Sequence, residues 1–160
     1  MPLIDPSGLA GIYPGDNNAW KYIMPFIQRL KRTANGLKLF NSIFNRLPQK
    51  VYLFSTVSPL DPTAGPVTYG PWWSGLNNGN TYRIYIPLSA RFYIRRNNSL
   101  SQGCLRVSTM RLLTHELGHA ENYANSEEQT VDLWEDPVMF EIERVRRVSY
   151  KNAYGSSSCQ

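Results

Sequence analysis

The chain has 160 residues, 42% of them hydrophobic, with 11 glycines, 11 prolines and a formal net charge of +5. That length suits one domain with a modest core and many turns. No apolar run approaches the ~18 residues needed to cross a bilayer. No basic segment followed by a long apolar one marks a Sec-type leader, so export would need another machine or a longer parent chain. The basic residues are scattered, with short clusters at Arg95-Arg96 and Arg144, Arg146 and Arg147, and form no stripe that would track nucleic acid. The two cysteines, Cys104 and Cys159, lie far apart and make no metal-binding or disulfide pattern, so free thiols are expected.

Residues 1–20 carry Pro2, Pro6, Gly8, Gly11, Pro14, Gly15 and Asn17-Asn18. Such density of breakers predicts a linker without regular structure. Residues 21–47 read as helix, with Ile23, Phe26, Ile27, Leu30, Leu37, Phe40 and Phe44 on one face. Asn35-Gly36 is expected to split that helix and Pro48 to end it. Residues 51–54 (VYLF), 81–86 (TYRIYI) and 90–95 read as strands. The Pro-, Gly- and Asn-rich stretch 58–79 reads as loop; Tyr69, Trp72 and Trp73 there are expected to cover the core rather than line a cleft. From Ser108 or Thr109 onward the chain turns helical, with Leu112, Leu113, Leu117 and Ala120 on the buried side. Ser126 and Gln129 form a capping box for a helix reaching Glu135 or Asp136, and Pro137 is placed to start another. Residues 156–160 read as a disordered tail. The expected organisation is a linker at 1–20, one α+β domain at 21–155 and the tail.

Residues 114–120 (THELGHA) contain the pattern His-Glu-x-x-His at His115, Glu116 and His119. On a helix, residues four apart share a face, so both imidazoles can reach one zinc ion. Glu116 lies ~100° round the helix, where its carboxylate meets a zinc-activated water rather than the metal. The chain has only two histidines and both fall in this motif, which favours a metal site over two ordinary surface residues. A catalytic zinc also needs a third protein ligand and an open position. No third histidine exists, so a carboxylate must serve; the candidates are Glu121, Glu127, Glu128, Glu135, Asp136, Glu141 and Glu143, and spacing does not choose among them. Peptide hydrolysis further needs an electrophile for the developing oxyanion. Arg147 with Tyr150, and Lys151 with Tyr154, offer a cation and a phenol three residues apart.

From residue 112 to 155, the succession HELGHA, SEEQTV, EIERVRR and YKNAYG resembles a group of bacterial toxin and effector zinc metalloproteases. These are similar to type III secretion effectors and, more remotely, to the clostridial neurotoxin light chains. The resemblance implies a zincin-like α+β fold: a small sheet, an active-site helix and further C-terminal helices. It implies Glu128 as third ligand and Tyr150 or Tyr154 as transition-state helper, and the family's Glu-led helix with its Arg maps onto Glu143 and the catalytic candidate Arg147. The spacer from His119 to Glu128 is shorter than the family's, so Glu143 and Glu141 remain alternative ligands. A second resemblance lies at residues 5–9 (DPSGL), which look like the DPxGL junction closing the shell of Rhs-type polymorphic toxins. It implies release from an Rhs core, delivery by type VI secretion or a similar route, and a protein substrate in the target-cell cytoplasm. It also implies a cognate immunity protein. The alternatives are a zinc-containing binding module without turnover and a basic toxin acting on nucleic acid.

Overall fold

The computed structural model describes residues 3–4, 11–46, 51–58, 60, 65–70, 81–88, 93–95 and 104–146. Expectations for Trp72, Trp73, Arg147, Tyr150, Tyr154, the DPSGL stretch and the tail at 156–160 lie outside these residues.

The architecture is mixed α+β. A five-stranded sheet joins β1 (Leu3–Ile4), β2 (Gly11–Pro14), β3 (Val51–Ser55), β4 (Val67–Tyr69) and β5 (Thr81–Tyr85) in the order β1-β2-β3-β5-β4. Strands β2, β3 and β5 run parallel, whereas β1 and β4 pair antiparallel at the two edges. A separate ribbon pairs β6 (Tyr93–Arg95) with β7 (Cys104–Arg106). The strands read at 51–54 and 81–86 are therefore present, and β6 covers the described part, 93–95, of the one read at 90–95.

Three strands appear where loop is expected: β1 and β2 in the first twenty residues and β4 in the stretch 58–79. β2 sits in the breaker-rich start of the chain, held by a parallel register of Gly11, Ile12, Tyr13 and Pro14 against residues 51–54. Parallel pairing comes from a partner forty residues away, so local composition carries little trace of it. A Cβ at Gly11 would stand 2.3 Å from the Tyr13 ring, so any side chain there would have to displace that ring. β4 is three residues long inside the Pro/Gly-rich stretch, and its Tyr69 is buried with its hydroxyl 3.0 Å from the Ser58 hydroxyl.

The helical region at 21–47 comprises a π-turn (Ala19–Ile23), α1 (Met24–Leu30) and α2 (Ala34–Arg46). The break falls at residues 31–33, just before the Asn-Gly pair. The Ala34 and Asn35 amides, each 2.8 Å from the Glu141 carboxylate, are the first turn of α2, and Gly36 passes too close to the Leu30 carbonyl for any Cβ. Leu39, Phe40 and Ile43 face the core while Leu37 is exposed.

The C-terminal half places the site. α3 (Thr109–Glu121) starts with the Ser108 hydroxyl accepting from the Arg111 amide. Its residues Leu112, Leu113 and Leu117 pack into the same core as Ile23, Ile27, Phe40, Phe54 and Ile84. A short turn at 122–125, braced by Asn122 and Asn125, leads to α4 (Glu127–Thr130). The Ser126–Gln129 capping box forms with both of its hydrogen bonds. A π-turn (Val131–Glu135) then passes into α5 (Asp136–Glu143) without a stop. Pro137 lacks the N–H that an α-helix would direct at Leu133; the wider π-turn just before it, with Asp136 N–H bonded to Val131 O, absorbs that loss and lets the helix continue. No helix among the described residues is long and apolar enough to cross a membrane.

Gly118 is where α3 meets this second helix. An added Cβ would stand 2.7 Å from Thr130 Cγ2 and 3.4 Å from Trp134 Cβ. Overpacking of this kind costs about 1–3 kcal/mol, against roughly 1 kcal/mol of helix propensity gained by leaving glycine. Gly118→Ala is therefore expected to lower stability by up to about 2 kcal/mol. Urea unfolding of the purified variant checks this; a more stable protein would mean that the helices can slide apart freely.

Candidate metal centre

His115 and His119 lie one turn apart on α3, and both are turned toward the start of α4. His115 Nε2 is 3.2 Å from His119 Nε2. The Oε2 atom of Glu127 stands 2.8 Å from the first nitrogen and 3.1 Å from the second. The rings cross nearly edge-on, at 84° with centroids 4.8 Å apart. These three donors form a group that could hold a metal ion.

The third member is Glu127, not Glu128 or Glu143. The capping box makes Glu127 the first residue of α4, where its carboxylate reaches back across the turn to His119. One residue on is ~100° round the helix, which leaves Glu128 exposed and outside the group. Glu143 is committed elsewhere: it accepts from the Ser108 hydroxyl and pairs with Arg111 at 3.2 Å. Glu141 caps α2, and Glu121 accepts from Ser42 and Trp134.

Both rings are held from behind. His115 Nδ1 lies 2.8 Å from Glu135 Oε2. That contact puts a hydrogen on Nδ1 and leaves Nε2 facing Glu127 and His119. His119 Nδ1 lies 3.4 Å from the hydroxyl of the fully buried Thr130. Glu135 in turn is gripped by Arg111, whose Nη1 sits 2.9 Å away in a pair with both side chains fully buried. Sequence reasoning missed Arg111, Glu135 as a supporting group, and Thr68. Arg111 did leave a signal: it stands four residues before His115 on the same helical face, within an apolar stretch. Thr68 left none.

Glu116 is 5% exposed. Its Oε2 accepts from the Thr68 hydroxyl at 2.7 Å, and Thr68 belongs to the edge strand β4. Burial pushes the Glu116 carboxyl up, against the opposing pull of His115, His119 and Thr68. A raised carboxyl is the direction a general base needs for work near neutral pH. A cleft of about 410 Å³ opens over the group. It is lined by His115, Glu116 and His119 of α3, by residues 65–68 leading into and along β4, and by Tyr123, Asn125 and Glu127 around the turn into α4.

Protein-family models, curated proteins and solved structures give no match to this chain.

Charge balance in the group points to a cation. Glu116, Glu135 and Asp136 are buried carboxylates and Glu127 adds a half-exposed one, against two buried groups among the described residues that can carry positive charge, Arg111 and a protonated His115. Burial opposes charge on His115, but its hydrogen bonds to Glu127 and Glu135 outweigh that and push its pKa up to about 9. The same contacts, chiefly that with His115, hold Glu127 well below the usual carboxylate range. A proton on His115 thus stands where a metal ion would bind. Because the folded pKa is raised, the proton's contribution to stability is fully present below the ordinary histidine value of 6.5 and is lost as pH rises through about 9. Metal must expel that proton. Its affinity is expected to rise about tenfold per pH unit between about 6.5 and 9 and then level off. Calorimetric titrations across that range check this, and an affinity independent of pH would contradict it.

Proposed function

We propose that this chain is a zinc-dependent metallopeptidase of zincin-like fold. The observation that carries the reading is the donor triangle of His115, His119 and Glu127 with edges of 2.8, 3.1 and 3.2 Å. Zinc bonds of 2.0–2.1 Å in a tetrahedron separate neighbouring ligands by about 3.3 Å. Two imidazoles and a carboxylate are the donor set that suits zinc, and three protein ligands leave a fourth position for chemistry.

Zinc held there would lower the pKa of a water and polarise a substrate carbonyl. The chain's own residues supply the rest. Glu116 borders the cleft beside both histidines, takes the proton from the attacking water and returns it to the leaving amine. Thr68 holds its carboxylate oxygen in one orientation. Glu135 and Thr130 keep the two imidazoles from rotating. Arg147 with Tyr150 or Tyr154 is our reading for the oxyanion contact, on the resemblance stated above.

The DPSGL stretch at 5–9 supports a toxin released from an Rhs core, acting on a protein in the target-cell cytoplasm. Its producer would then need a cognate immunity protein. The test is expression of the wild-type chain and of Glu116→Ala in bacteria, followed by mass-spectrometric mapping of protein N-termini. New N-termini specific to the wild type are expected. Identical maps, in cells where both proteins accumulate, would refute peptide hydrolysis.

A further inference from the structure

Arg111 is fully buried, and among the described residues the hydrogen bonds of its guanidinium go to residues 135–145. Nη1 bonds Glu135 Oε1 at 2.9 Å and Asp136 Oδ1 at 3.1 Å. Nε bonds Glu143 Oε2 at 3.2 Å, and Nη2 bonds the Val145 carbonyl at 2.8 Å. The last of these exists because Arg144 takes a left-handed conformation, with φ of 59°, and folds the chain back after α5. Glu135 thereby has one oxygen on Arg111 and the other on His115 Nδ1.

We propose that Arg111 is a positioning residue of the metal centre, acting through Glu135 to fix the ring of His115. The inference rests on reading His115, His119 and Glu127 as zinc ligands. A buried ion cluster is a poor source of stability, since apolar residues of the same volume commonly do as well. Its geometric consequence is specific. Glu135 could turn about its side-chain torsions if only His115 held it. Arg111 pins the far oxygen, so the near oxygen fixes which nitrogen of His115 carries hydrogen and where Nε2 points. The carboxylate charge behind the ring also strengthens Nε2 as a donor. The planar guanidinium serves carboxylates on two sides at once, which a lysine ammonium on its flexible stem does not reproduce.

Two variants test the relay. In Glu135→Gln the amide offers one acceptor where two donors converge, so either Arg111 or His115 loses its bond to residue 135. In Arg111→Lys the charge stays and the fork is lost. Each is expected to weaken zinc binding roughly ten- to a hundredfold, the range for residues that orient metal ligands. Affinity is read by competition with a chromogenic chelator, on protein whose fold is checked by circular dichroism. The double variant should be no weaker than about the worse single one, because both break the same chain of contacts. Glu141→Gln, which removes a charge from the α2 cap, is the control; it should lower the melting temperature and leave zinc affinity unchanged. Wild-type affinity in both single variants, or strictly additive losses in the double, would overturn the positioning role while leaving the metal centre intact. Failure of the wild type itself to bind zinc would instead overturn the metal reading, and this inference with it.

Discussion

Glu116→Gln is expected to lower peptide hydrolysis about 10²–10⁴-fold, the range for loss of a general base, while zinc stays bound. The side chain is 5% exposed and its carboxyl is pushed up by burial. Glutamine has the same shape but no charge, so it carries a smaller desolvation cost at this position. Its amide oxygen can still accept from the Thr68 hydroxyl. Unfolding would therefore not explain the loss of activity. No other carboxylate takes over the role, because Glu127 belongs to the metal group and Glu135 is held by Arg111 and His115. The measurement pairs a turnover assay on a peptide from the mapped cleavage site with a zinc titration. Full activity in a zinc-loaded Glu116→Gln protein would remove the peptidase reading and leave a zinc-binding module.

The second large effect separates two neighbouring glutamates. Glu127→Gln is expected to weaken zinc binding by more than about a hundredfold, since even residues behind the ligands are worth 10–100-fold. Glu128→Gln should change it little. The two side chains differ by one step round α4, and only Glu127 has an oxygen within 3.1 Å of both ligand nitrogens. Glu127→Gln should also change the metal-free protein: His115 loses the partner that does most to raise its pKa, so that pKa should fall from about 9. Histidine-ring NMR titration reads this directly. A larger zinc defect in Glu128→Gln than in Glu127→Gln would mean that α4 sits one residue out of register.

Legibility in the sequence followed the range of the interactions. The helix with His115, Glu116 and His119 was readable because its chemistry and periodicity lie within one turn. The caps at Ser108 and Ser126 were readable for the same reason, since each acts three residues away. The third donor was not: Glu127 and Glu128 are adjacent residues of identical chemistry, and the choice depends on how the turn at 122–125 aims the next helix. β2 and β4 were not readable because their own residues have the composition of turns, and each is held in the sheet by a neighbouring strand outside its segment, β3 for β2 and β5 for β4. Thr68 is therefore a site residue with no local signature. Asn35-Gly36, a strong turn signal, was overridden by a tertiary contact: Glu141 supplies acceptors for the Ala34 and Asn35 amides, and that lets α2 begin before the glycine. Pro137 likewise marked a boundary that the π-turn smoothed over.

The most direct test is elemental analysis of the full chain, purified without chelator, beside His115→Ala and Glu127→Ala. The account predicts about one zinc per wild-type chain, from the single donor triangle among the described residues, and a large loss in both variants. A folded wild-type protein with no stoichiometric zinc after exposure to the ion, or variants that retain it, would contradict the account.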